Sequence, residues 1–307
     1  MASLLISSQS RAMVLASFLL SSALSRGGSA APDATYRSTV EEVRLTFVVT
    51  DEHNRTFAAL KARDFAVIDD ELVIRNFRSF TRLDESKLDI TVLVDSSESV
   101  VSRFRQEIGD VLRLISESKS IAEDNVSVLS FGGTRSTIIC AANCRQFSPA
   151  EQLFALSPQG ATPLFDAVVF AAKQVSERRD PLVRPVIILF SDGVDTVSRN
   201  SAADAVQAAI ESNAQIYAVD LNKPGFLSKG SSTLQGMADA TGGRYFTIGE
   251  GAVKLLGDLL EDLHAAYVVT YQLPSRDIGF HPVRILPTRN LNLRFRCRHG
   301  YYQRMVN

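Results

Sequence analysis

Leu88–Val100 reads LDITVLVDSSESV, and Arg184–Asp195 reads RPVIILFSDGVD. Each begins as a short apolar run rich in β-branched residues, shows no alternation, and reaches an acid, Asp95 or Asp192. Strands buried on both faces have this composition, because helices cover both sides of a parallel sheet. NVSVLSF (125–131) and AQIYAVDL (214–221) are runs of the same kind. Helical stretches lie among them: RFRQEIGDVLRLISES (103–118), PLFDAVVFAAKQVSER (163–178), SAADAVQAAIESN (201–213) and TLQGMADA (233–240). A further one, AVKLLGDLLEDLHAAY (252–267), repeats its apolar positions at helical spacing. This alternation predicts an α/β domain with a doubly wound, mainly parallel sheet covered by helices on both sides.

The flanks read differently. VRLTFVVTDEHNRTFAAL and DFAVIDDELVIRNFRSF, within 36–84, alternate like half-buried strands joined by acidic turns. YVVTYQLP, HPVRILP and LNLRFRCRHGYY, within 267–307, are also strand-like. Isolated pieces of about 40 to 50 residues rarely stabilise themselves. The economical arrangement is one small β-sandwich made by both flanks, with the α/β domain (87–266) inserted between them. The alternative packs each flank separately on that domain.

The 307 residues are 45% hydrophobic, enough for a substantial core. Thirty-three basic and 34 acidic residues nearly cancel, which argues against nucleic acid or a strongly anionic membrane as partner. Residues 1–31 read as an export signal. Arg11 precedes the apolar run Ala12–Leu24, and GSAA offers small residues for cleavage near Ala30 or Ala31. The alternative is a retained anchor helix, but Arg26 ends that run short of the roughly 20 apolar residues a membrane span needs. The expected destination is periplasmic or extracellular, with no span after cleavage. In an exported chain Cys140 and Cys144 can close a small loop worth about 2 kcal/mol, or remain two surface thiols. With Cys297 they are three cysteines, too few for a tetrahedral zinc site, and no histidine sits at ligand spacing.

In open parallel sheets, ligands bind beyond the carboxyl ends of the strands, where the winding reverses. Three loops qualify: DSSES with Asp95, Ser97 and Ser99; GATPLFD with Thr162 before Pro163; and FSDGVD with Asp192 before Gly193. Two carboxylates sharing a partly buried crevice repel each other and need a cation or a shared proton. Serine and threonine hydroxyls are hard, neutral oxygen donors. The set suits Mg²⁺ or Mn²⁺ with water completing an octahedron, and suits Ca²⁺ less well. Taken singly, each residue has an ordinary reading. Ser97 and Ser99 are favoured helix N-caps, Thr162–Pro163 fits a helix start, and Asp192–Gly193 is a turn signal.

Together the order DxSxS, then TPLFDAV, then ILFSDGVD resembles the metal-ion-dependent adhesion site of von Willebrand factor type A domains. LQGMADATGGRYFTI is similar to that family's last helix-to-strand passage, with Gly242 and Gly243 at the helix stop. The resemblance covers about 88 to 266. More narrowly, the whole chain resembles bacterial exported von Willebrand A-related proteins of the kind common in acidobacteria. It implies a Rossmann-like sheet with the strands leading to Asp95 and Asp192 side by side. It also implies Asp95, Ser97, Ser99, Thr162 and Asp192 as the five metal-site positions, and an ion that captures an Asp or Glu of a protein partner. Glu98 departs from the glycine of many relatives, at a spacer position. The resemblance implies a binding module and no enzyme. A haloacid-dehalogenase-type phosphatase needs a second acid two residues after its strand-end Asp, where this chain has Ser97. There is no G-x-S-x-G elbow, P-loop or G-x-G-x-x-G. A third reading is an envelope scaffold whose metal site is not functional.

Overall fold

The computed structural model describes residues 41–83, 87–117, 124–178, 183–223, 225, 228–248, 252–275, 277–289 and 292–304. The expected export signal lies outside the described residues. The N-terminal flank forms β1 (Glu42–Thr50), β2 (Phe65–Asp69), β3 (Leu72–Ile74) and β4 (Ser79–Arg82). The central region follows with β5 (Leu88–Asp95), β6 (Asn125–Gly132), β7 (Arg135–Cys140), β8 (Arg184–Ser191), β9 (Gln215–Asp220) and β10 (Tyr245–Thr247). Its helices are α1 (Phe104–Glu117), α2 (Ala150–Ala155), α3 (Leu164–Glu177), α4 (Ala202–Glu211), α5 (Lys229–Thr241) and α6 (Ala252–Leu263). The C-terminal flank contributes β11 (Ala266–Gln272), β12 (Gly279–Pro287), β13 (Arg294–Cys297) and β14 (Gly300–Gln303).

The central sheet runs β10-β9-β8-β5-β6-β7. Every neighbouring pair is parallel except β6–β7, so the fold is the expected mainly parallel α/β sheet. The absence of alternation in the strands has a direct cause. Leu88, Ile90, Val92 and Val94 of β5 join Phe104, Ile108, Val111 and Leu259 in one core, on the α1 and α6 side. Leu93, with Ile187 and Leu189 of β8, joins Leu164, Val168, Ala205 and Leu234 in the other. β8 is therefore apolar on both faces, whereas β5 gives only Leu93 to the second core, beside Asp89, Thr91 and Asp95; each fully buried aliphatic side chain contributes about 2 kcal/mol.

The flanks build two four-stranded sheets, β13-β1-β11-β4 and β14-β12-β2-β3, each mixing strands from both ends of the chain. They share a third core, with Phe47 at its centre. The Phe47 ring centroid lies 5.3 Å from Phe65 and 5.7 Å from Tyr267. Asp69, fully buried, accepts hydrogen bonds from Tyr271 (2.7 Å) and Tyr301 (3.1 Å). The sandwich rests on the α/β region through specific contacts. Arg296 of β13 pairs with the buried Asp262 of α6 and donates to the Gly243 carbonyl at 2.9 Å. The His299 amide donates to the Ala240 carbonyl at the end of α5, at 2.9 Å.

Several boundaries differ from the sequence-based expectation. The helix expected over 252–267 stops at Leu263, because Ala266 and Tyr267 are recruited into β11, opposite Val48 and Phe47 of β1. The helix expected over 233–240 starts earlier, at Lys229, where the Ser228 hydroxyl accepts from the Ser231 amide. It stops where expected: Gly242 adopts φ +76°, and a side chain on Gly243 would sit 1.9 Å from the Ile216 carbonyl oxygen. The strand expected after Gly242 and Gly243 is present as β10, whereas the edge strand β7 and the short α2 had no separate expectation. Among the described residues no helix is long and apolar enough to cross a membrane.

Candidate metal centre

β5 and β8 are direct neighbours, paired through Val94 and Phe190 at their carboxyl ends. From β5 the sheet extends to β6 on one side and to β8 and β9 on the other. The crevice between β5 and β8 is thus a topological switch point. Asp95 is the last residue of β5, and Asp192 follows directly on β8. Asp95 has no solvent exposure; one carboxylate oxygen accepts from the Ser97 amide at 3.0 Å and the other from the Ser191 hydroxyl at 2.7 Å. Asp192, also buried, accepts from the Val194 amide at 3.0 Å, while its carbonyl accepts from Asn222 Nδ2 at 2.8 Å. The turn after Asp192 requires glycine. Gly193 has φ +77°, and a Cβ there would lie 2.1 Å from the Gly230 carbonyl oxygen at the start of α5.

Hydrogen bonds join the three loops. The Gln159 amide donates to the Ser96 carbonyl and the Glu98 amide to the Gly160 carbonyl, both at 3.0 Å. The Thr162 amide donates to Thr196 Oγ1 at 2.8 Å, and the Thr196 amide returns a bond to the Thr162 carbonyl at 2.9 Å. The capping explanation of the hydroxyls is not what the geometry displays. Ser97 occupies the N-cap position of the short 3-10 turn Glu98–Val100, yet its side chain makes no cap bond. Its Oγ lies 3.0 Å from Ser99 Oγ. Pro163, not Thr162, is the N-cap residue of α3, whose first amides take Asp195 and Ser198 as acceptors. Ser97 and Thr162 are buried, whereas Ser99 and Glu98 are exposed at the rim.

The electrostatics are those of crowded acids. Burial pushes the Asp95 carboxyl up to about 6, against hydrogen bonds from Ser97 and Ser191 that favour its charged form, and nearby Asp192 adds to the rise. Glu107, on α1, is 1% exposed, and burial with Asp95 and Asp192 nearby lifts it well above the usual carboxylate range. Among the described residues, hydroxyls and backbone amides alone hydrogen-bond the two aspartates. An excess of buried negative charge with hard oxygen donors around it fits a divalent cation of the Mg²⁺ or Mn²⁺ type. Sequence reasoning missed Glu107, Ser191 and Asn222. Glu107 left a signal: it falls on the apolar face of α1 with Phe104, Ile108 and Val111, where an acid is out of place.

A second acidic group lies in the sandwich. Asp69, Asp70 and His281 bring ligand atoms within 4.8 Å of one another. Their capacity is already taken, since two tyrosines bind Asp69, and His281 spans Asp70 and the Asp277 carbonyl. His264 faces Asp124 at 3.6 Å, and His53 and His299 are exposed. Cys140 and Cys144 are joined by a disulfide, which decides between the two alternatives for that loop. Cys297 is buried in the sandwich core, its thiol pushed up to about 12 by burial.

A family model described as von Willebrand factor type A domain matches residues 89–261, more than half of the chain. The chain belongs to the von Willebrand factor type A domain family. Within the A domain, the matched segment contains β5 through β10 and all three site loops. No curated protein matches the chain in sequence. Among solved structures, the conserved hypothetical protein BatB from Bacteroides thetaiotaomicron is 17% identical, with a TM-score of 0.46 over 57% of this chain and 97% of its own. Manganese-loaded TRAP protein of Plasmodium vivax is 16% identical, with a TM-score of 0.45 over 73% and 97%. Proximal thread matrix protein 1 of the mussel byssus, with a zinc-occupied MIDAS motif, is 16% identical, with a TM-score of 0.48 over 61% and 50%.

Proposed function

We propose that this chain is an exported, metal-dependent protein-binding module. Asp95, Ser97, Ser99, Thr162 and Asp192 would hold one Mg²⁺ or Mn²⁺, some directly and some through water. Asp95 and Asp192 supply the charge, and the three hydroxyls supply neutral oxygens. When bound, the ion supplies an electrophilic point that accepts a carboxylate from an Asp or Glu of the partner. The observation that carries this reading is the joining of three loops around two buried aspartates, with hydroxyls that cap no helix. The residues' own work is to orient oxygens: the Ser191 hydroxyl fixes one Asp95 oxygen, and Asn222 anchors the loop at Asp192. Export rests on the apolar leader of the sequence.

The direct test is capture from the native envelope by immobilised protein, with Mg²⁺ and with chelator in parallel, alongside Asp95→Ala. Capture is expected only for wild type with the ion. Equal capture in chelator, or by the variant, would overturn the reading. An aryl-phosphate hydrolysis assay is expected to give no turnover, because Ser97 stands where a phosphatase of this kind needs an acid.

A further inference from the structure

Glu107 takes no part in the five-residue set, yet it is the least accommodated acid in the A domain. It is 1% exposed on the core face of α1, and neither carboxylate oxygen has a hydrogen-bond partner. The Asp95 amide lies close enough to favour its charged form without reaching hydrogen-bonding geometry. The charged side chains that weigh most on it are Asp95, Asp192 and Asp110, all acidic. Asp110, one turn along the same helix, differs: Arg113 offsets its charge. A leucine or methionine would fill a core position such as 107 without penalty, whereas an unpaired buried carboxylate is costly. Buried polar atoms without partners mark places where an ion or water belongs.

We propose that Glu107 is a third carboxylate of the ion site, placed behind Asp95 and Asp192, and that it sets how tightly the cation is held. This rests on the reading of the site given above. Glu107 acts as a positioning residue: its carboxyl would support the two aspartates that hold the ion, as outer partners of metal sites commonly do. The site then has three carboxyl groups instead of two. That arrangement favours retention of the ion before any acidic partner arrives, and it tempers the positive charge left for that partner.

The test is calorimetric titration of chelator-stripped protein with Mn²⁺ at pH 7, comparing wild type, Glu107→Gln and Glu107→Met. Both variants should bind Mn²⁺ at least about tenfold more weakly. In chelator Glu107→Met should melt above wild type, because a buried carboxyl with two unpartnered oxygens gives way to an apolar side chain. Mn²⁺ affinity within twofold of wild type in either variant would overturn the inference while leaving the five-residue site standing. A Glu107→Met variant that melts below wild type in chelator would also overturn it, since Glu107 would then serve the packing of α1. Failure of the wild-type protein itself to bind Mn²⁺ would remove both the inference and the reading beneath it.

Discussion

Replacing Asp95 by asparagine should stabilise the protein in chelator and destroy its response to the ion. Burial raises the folded carboxyl from 3.8 to about 6. At about 1.4 kcal/mol per pH unit, holding Asp95 ionised costs the ion-free fold roughly 3 kcal/mol at neutral pH. Asparagine removes that charge and keeps an acceptor for the Ser97 amide. Its amide group meets the Ser191 hydroxyl, which must turn to accept, at a loss of about 1 kcal/mol. The net expectation is Asp95→Asn more stable by about 2 kcal/mol in urea denaturation at pH 7 with chelator. Saturating Mg²⁺, at a hundred times its dissociation constant, adds about 2.7 kcal/mol to wild type and nothing to the variant. The two curves should then draw level or cross. The sign with pH follows from the raised folded value. In chelator, wild type gains stability as pH falls through 6 toward 3.8, because the folded state takes up the proton first. The variant lacks that gain, so the gap closes toward pH 4. A variant less stable than wild type in chelator at pH 7, or one that Mg²⁺ stabilises equally, would refute this reasoning.

Two further expectations follow from single contacts. Gly193→Ala would place a Cβ 2.1 Å from the Gly230 carbonyl oxygen at φ +77°; a loss of about 2 to 4 kcal/mol in urea and weaker ion binding are expected, and a loss under about 0.5 kcal/mol would show that the loop relaxes freely. His264, raised above 6.5 chiefly by its bond to Asp124, should contribute under about 1 kcal/mol. That contribution is complete below pH 6.5 and disappears as pH rises through the folded value, so His264→Gln should flatten the corresponding slope in thermal melts between about pH 6 and 8; an unchanged slope would assign it elsewhere.

The central sheet was readable because β8 is apolar on both faces and the run Val92–Val94 of β5 feeds both cores, as a strand between two helical layers does. The end of α6 was not readable. Leu263–Tyr267 continues the helical period, and it is pairing with β1, more than 200 residues away in sequence, that pulls Ala266 into a strand. The stretch Asp69-Asp70-Glu71 read only as an acidic turn, yet Asp69 is fully buried under Tyr271 and Tyr301, partners from the far end of the chain. Around the candidate site, local patterns revealed the loops that carry Asp95, Thr162 and Asp192. The supports from Ser191 and Asn222 depend on side-chain directions that no spacing encodes. Glu107 sits between. Its acid on an apolar helical stripe was visible, but its neighbours appear only when α1 is laid against β5.

The most direct measurement is a calorimetric titration of the chelator-stripped wild-type chain with Mg²⁺ or Mn²⁺, repeated on Asp95→Ala. One saturable site per chain in wild type, abolished in a folded Asp95→Ala, is the required result. A flat wild-type titration, or binding that survives the substitution unchanged, would contradict the convergence of these side chains on one ion.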